Sequence, residues 1–162
     1  MADKDEESPR PVDGLRLAGE PLGGGVHRAA PRRRAHHRLR AEPKMVWVRA
    51  FNEIYNPSLA VKVIAELKNE FPNAKLTMIG PDKGDRSLKR MLEFTDAVGI
   101  HDYVKVIPGV PGTEIPFYLN QNDIFINTSN YDTAPRSLIE AMANGLCIVS
   151  TNVGGIPWLV ED

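Results

Sequence analysis

From about residue 45 onward, short apolar runs alternate with segments whose apolar residues recur at helical spacing, and this alternation leaves few folds open. Met45-Val46-Trp47-Val48 is the first run; residues 74–79, 103–107, 123–126 and 146–149 form the others. They are continuously apolar rather than alternating, which predicts strands covered on both faces. Between the first two, Asn56 reads as an N-cap and Pro57 as the first helical residue. Leu59, Ala60, Val63, Ile64, Leu67 and Phe71 then make one apolar stripe, stopped at Pro72-Asn73. Leu88, Met91, Leu92 and Val98 mark a second helix ended by Gly99, a short third helix is expected over 113–121, and a fourth follows residues 127–135. Strict alternation with right-handed crossovers predicts an α/β fold: a doubly wound, Rossmann-like parallel sheet of about five strands over residues 45–162.

Ligands bind such sheets beyond the carboxyl ends of the strands. The loops at that edge start at Arg49, Gly80, Pro108, Asn127 and Ser150. The first, Arg49-Ala50-Phe51-Asn52-Glu53, has no glycine, so the Gly-x-Gly-x-x-Gly dinucleotide fingerprint is missing and an oxidoreductase is disfavoured. No Walker loop is present either. The loop after the fourth strand is richer: Asp132 and, eight positions later, Glu140 flank a helix N-terminus, where free backbone N–H groups and the helix dipole favour an anion. Hydroxyl-accepting carboxylates around an anion site suit a nucleotide sugar. Plainer readings stand beside this one. Glu140 lies four residues after Arg136 and can form an ordinary surface pair; Asp132 can simply favour the helix end. Gly154-Gly155 serves a tight turn or lets backbone approach a ligand. Asn127, Thr128 and Ser129 read as loop and capping residues, Phe117 and Tyr118 as core, and Cys147, within an apolar run, as a small buried hydrophobe.

Residues 1–44 differ in kind. They lack Phe, Tyr, Trp and Ile, hold five Pro and five Gly, and are expected to form a disordered tail, because such a segment buries too little apolar area to offset its ordering entropy. Their charge is positive and that of the remainder negative, with a total of -1, so the whole chain carries no nucleic-acid footprint. The tail's arginines have no interleaved aromatics and read as solvated. His36-His37 has no partner at metal-ligand spacing. A single cysteine excludes an internal disulfide. No apolar run approaches the length of a membrane span and no signal-peptide region opens the chain, so a cytoplasmic location is expected.

Asp132 and Glu140, followed by Ala141-Met142-Ala143-Asn144-Gly145 and then Thr151-Asn152-Val153-Gly154-Gly155-Ile156-Pro157, resemble the donor-binding region of retaining glycosyltransferases of family 4. These have the GT-B fold, two Rossmann-like domains facing across a cleft, and the resemblance covers roughly residues 45–160, most of the nucleotide-sugar-binding domain. It implies transfer of a hexose from a nucleoside diphosphate sugar to a hydroxyl of an acceptor glycan or other compound. Glu140 would accept from the ribose hydroxyls, Asp132 would bind the transferred sugar, and the backbone N–H groups of Arg136 and Ser137 would hold the distal phosphate. Arg49 matches the family's phosphate-binding arginine, with residues 108–112 against the base. No metal is implied, because Arg, Lys and the helix end take a cation's place.

Two positions depart from the family pattern: the first acid is usually Glu, here Asp132, and a lysine usually stands where this chain has Ile54. The chain also reads as a fragment, lacking an acceptor-binding domain before residue 45 and closing elements after Asp162, and is expected to be inactive alone. The intact enzyme would have no membrane span, with peripheral membrane contact compatible with the family. The alternative from another class is a non-catalytic binding module that keeps the Rossmann core.

Overall fold

The computed structural model describes residues 43–160; the expected tail, apart from its last two residues, lies outside the described residues. Five parallel strands form one sheet in the order β3-β2-β1-β4-β5. They are β1 (Lys44–Val48), β2 (Lys75–Ile79), β3 (Val104–Ile107), β4 (Ile124–Asn127) and β5 (Cys147–Ser150). The helices between them are α1 (Pro57–Leu67), α2 (Ser87–Ala97), α3 (Ile115–Asn120) and α4 (Arg136–Ala143). The doubly wound sheet expected from the sequence is therefore present. Its first strand begins at Lys44, paired with Lys75, and so takes in the last residue of the expected tail.

Each face of the sheet has its own core. Met45, Trp47, Leu76, Met78 and Ile126 pack with Ala60, Val61 and Ile64 of α1 and Met91 of α2. On the other face Val46, Ile79 and Phe125 pack with Ile115 and Leu119 of α3 and Leu138 and Ala141 of α4. Successive residues of β1 thus bury in opposite cores, which is why its sequence is apolar without alternation.

Three expectations need correction. Helix α1 stops at Leu67, and Phe71 lies outside it, half exposed. Phe71 precedes Pro72, whose ring disfavours helical backbone at the residue before it. Phe117 is 63% exposed, because α3 turns Ile115 and Leu119 to the core and Phe117 away from it. Cys147 is exposed, not buried. It lies on the sheet's edge strand in register with Ile124, sharing a face with the half-exposed Val149, which no described helix covers.

The start of α1 is fixed as expected. Asn56 sits in the left-handed region at φ 47°, and its side chain accepts from the Leu59 N–H at 3.2 Å. Its amide nitrogen also donates to the Asn130 side-chain oxygen at 3.1 Å. Asn56→Ala is expected to cost about 1–2 kcal/mol, losing the cap and placing Ala at positive φ. Asn56→Gly, free of the second cost, is expected to lose less, and urea denaturation midpoints of the two variants measure the difference.

Candidate functional site

The sheet order places β1 next to β4, with β2 and β3 winding away on one side and β5 on the other. This is the switch point where loops diverge and leave a crevice. Arg49 directly follows β1, and the loop carrying Asp132 follows β4.

Those two loops are fastened to each other. The Trp47 indole N–H donates to Thr128 Oγ1 at 3.0 Å, and that hydroxyl lies 2.9 Å from the carbonyl oxygens of both Tyr55 and Asn56. The Asn130 backbone N–H donates to the Ile54 carbonyl at 2.8 Å, and its side-chain amide to the Glu53 carbonyl at 3.1 Å. Asn127 and Ser129 are buried and bond to each other through Ser129 Oγ and Asn127 Oδ1 at 2.9 Å. None of these side chains caps α4, whose N-cap is Pro135 without a side-chain bond. The expectation of capping residues is corrected: Thr128, with Asn130, ties the β4 loop to the β1 loop, while the Asn127 side-chain amide donates to Ser150 of β5 and Ser129 bonds back to Asn127.

The fastening brings Arg49 onto Asp132 as an ion pair, with the guanidinium 20% and the carboxylate 8% exposed. The Arg49 guanidinium also lies over the Tyr55 ring, 4.6 Å from its centroid. Burial pushes the Arg49 pKa down from its ordinary value, and the charge interaction with Tyr55 opposes that shift. Arg49 Nε is buried without a hydrogen-bond partner. A carboxylate this deep is tolerable because it has a cation against it.

Arg49 forms one wall of a cleft of about 300 Å³, lined also by Gly80, Gly109, Val110, Ser137 and Glu140. Arg136 stands at its mouth, its Nε 2.8 Å from Glu140 Oε1, so the plain surface pair is formed as well. The first turn of α4 opens into this cleft. The N–H groups of Leu138 and Ile139 are taken by the Pro135 carbonyl at 3.0 and 3.3 Å, while no side chain caps the helix. Ser137 Oγ is buried beside it with no hydrogen-bond partner. Uncapped helix N–H groups, an unpartnered hydroxyl and a guanidinium around one hollow provide donors and positive potential for an anion.

Of the residues singled out from the sequence, Arg49, Arg136, Ser137 and Glu140 line the cleft together, and Asp132 joins them through Arg49. Gly154 and Gly155 do not line it. They lie under the Asp132 loop: the Gly155 N–H donates to the Asp132 carbonyl at 2.9 Å, and a Cβ on Gly154 or Gly155 would overlap the carbonyl oxygens of Asp132 and Thr133 respectively. Of their two sequence readings, this contact matches the tight turn, with the close approach made to the backbone of the site loop. Sequence reasoning did not find Tyr55 or Thr128. Neither has a periodic or spacing signal: the partner of Thr128, Trp47, lies on β1, and Tyr55 meets Arg49 through the folding of the loop they share.

Comparison with known proteins gives the site a family. The family model described as "Glycosyl transferases group 1" matches residues 31–162. Spore coat protein SA of Bacillus subtilis (strain 168) is 26% identical over 139 residues, covering 83% of this chain and 37% of its own. The amylovoran biosynthesis glycosyltransferase AmsK of Erwinia amylovora is 33% identical over 109 residues, 64% of this chain and 26% of its own. The chain thus spans roughly a quarter to a little over a third of the length of these relatives. Among solved structures, Anabaena HepE in complex with UDP and glucose superposes with a TM-score of 0.68 at 19% identity, over 74% of this chain and 32% of that one, which establishes the likeness in fold. The sheet order, the cleft at its switch point and the family match over most of the sequence lead to one assignment: the chain belongs to the glycosyl transferases group 1 family.

Proposed function

We propose that the chain is the donor-binding domain of a retaining glycosyltransferase, which holds a nucleoside diphosphate hexose for transfer to an acceptor hydroxyl. The observation that carries this reading is the convergence of Arg49, Ser137, Glu140 and the uncapped start of α4 on one cleft at the switch point. The UDP and glucose of the Anabaena complex support a nucleoside diphosphate and a hexose as the ligand class. In this reading the diphosphate lies against Arg49 and the backbone N–H groups of Arg136 and Ser137. Glu140 accepts from the ribose hydroxyls after leaving Arg136, and Asp132 receives hydroxyls of the sugar. Gly154 and Gly155 act through the Asp132 loop.

When the bond between the sugar and the diphosphate breaks, negative charge grows on the departing phosphate. A fixed guanidinium and helix N-terminus aimed there stabilise that charge without reorganising. The same groups take the part of a metal ion, and the proposal includes none. Among the described residues no helix is long and apolar enough to cross a membrane; a cytoplasmic setting, and peripheral membrane contact of the intact enzyme, belong to the proposal.

Calorimetric titration of the full chain with UDP, GDP and ADP tests the reading. One of them is expected to bind, and Glu140→Ala to weaken it about tenfold to a hundredfold through lost hydrogen bonds to a charged acceptor. The pair of Glu140 with the 86% exposed Arg136 contributes little to stability, so this variant is expected to unfold within about 0.5 kcal/mol of the parent. Folded protein that binds none of the three nucleotides overturns the proposal in favour of a non-catalytic module.

A further inference from the structure

We propose that Tyr55 is a positioning residue for Arg49: its ring face holds the guanidinium in place while the guanidinium edge is free to exchange one anion for another. The inference rests on the donor-site reading above for the identity of the second anion, but the contact itself belongs to the free protein.

Arg49 has few restraints for a side chain with so much to do. Among the described residues its ionic partner is Asp132, and its Nε is buried with no partner. A phosphate entering the cleft competes with Asp132 for the same N–H groups, since carboxylate and phosphate both bind the edge of the guanidinium plane. If Asp132 alone held the arginine, the arrival of ligand would release the anchor that positions it. An aromatic ring avoids that conflict. It attracts the cation through its π face and leaves the N–H edge open, and the attraction strengthens when water is excluded. The Tyr55 ring lies 4.6 Å from the guanidinium carbon, beneath a side chain that is four-fifths buried.

The ring is itself anchored. Tyr55 closes a short turn over Glu53–Tyr55 whose first N–H groups are held by Asp85 and Asn52. The Tyr55 carbonyl lies 2.9 Å from the Thr128 hydroxyl, which the Trp47 indole holds from below at 3.0 Å. The platform under Arg49 is thereby tied to Trp47 in the core of β1 and to Thr128 at the start of the β4 loop, contacts that do not involve the Asp132 carboxylate.

The test compares Tyr55→Leu with Tyr55→Phe in the full chain, using the nucleoside diphosphate that binds best among UDP, GDP and ADP, together with its parent nucleoside. Tyr55→Leu is expected to bind the diphosphate about tenfold more weakly and the nucleoside unchanged, and Tyr55→Phe to restore diphosphate binding to within about twofold of the parent. A variant whose site had merely collapsed would lose both ligands together, and that result, or undiminished diphosphate binding by Tyr55→Leu, overturns the inference. The contact is also read without ligand, from the Arg49 Nε–H proton resonance. Ring-current displacement in the parent and in Tyr55→Phe, lost in Tyr55→Leu, supports it even if no nucleotide binds and the donor-site reading falls. A resonance unmoved by Tyr55→Leu overturns it.

Discussion

Replacing Arg49 with alanine is expected to abolish nucleoside diphosphate binding and to lower folding stability by about 3 kcal/mol. The two losses have different causes. Binding fails because the buried guanidinium of the cleft is gone, leaving the helix end, the Ser137 hydroxyl and the exposed Arg136 to meet the phosphate charges. Stability falls because Asp132, 8% exposed, becomes a buried carboxylate without its cation. A second substitution separates them. Asp132→Asn in the Arg49→Ala background removes the stranded charge and is expected to recover most of the stability and none of the binding. Urea denaturation and calorimetry on the same preparations give both readings. An Arg49→Ala protein as stable as the parent would sink the claim that Asp132 depends on this pair.

How far this site was legible in the sequence depends on whether its contacts are local. The run at β1 revealed a strand because both faces of the sheet there are covered, and Asn56-Pro57 fixed the helix start by rules that need only adjacent residues. Arg49 and Asp132 were each noticed, one for following a strand and the other for preceding a helix. Their pairing was not, because it requires β1 and β4 to be neighbours, which strand order and not spacing decides. The same limit explains Cys147. An apolar run implies cover on both faces only within the sheet, and among the described residues β5 is bonded to β4 alone and lies at an edge. Asn127, Thr128 and Ser129 misled in the opposite direction. A polar run before a helix reads as loop and cap, whereas here it is buried, with Thr128 spent on Trp47 and the β1 loop, and Asn127 on Ser150 and Ser129.

The backbone around the glycine pair leads to the second large effect. Gly154 adopts φ +57° and a Cβ there would overlap the Asp132 carbonyl oxygen; Gly155 needs no positive φ, but its Cβ would overlap the Thr133 carbonyl oxygen. In both cases the obstructing atom is backbone, which cannot swing aside as a side-chain end does. Gly154→Ala is therefore expected to cost more than about 3 kcal/mol, combining overlap with a strained left-handed alanine, and Gly155→Ala somewhat less. Gly84→Ala isolates the second component. Gly84 has φ +75° and open space for 4 Å around the position a Cβ would take, so its cost is expected to be about 1–2 kcal/mol from conformation alone. Denaturation midpoints rank the three. If Gly154→Ala falls no further than Gly84→Ala, the close approach is not a constraint. If it falls further, the loss should extend to the affinity gained from the sugar of a nucleotide sugar over its bare diphosphate, because the loop pushed away is the one that carries Asp132, the proposed acceptor of sugar hydroxyls. A fully folded Gly155→Ala protein that binds the diphosphate as the parent does but has lost the added affinity for the sugar would mark the glycine pair as the backing that positions Asp132.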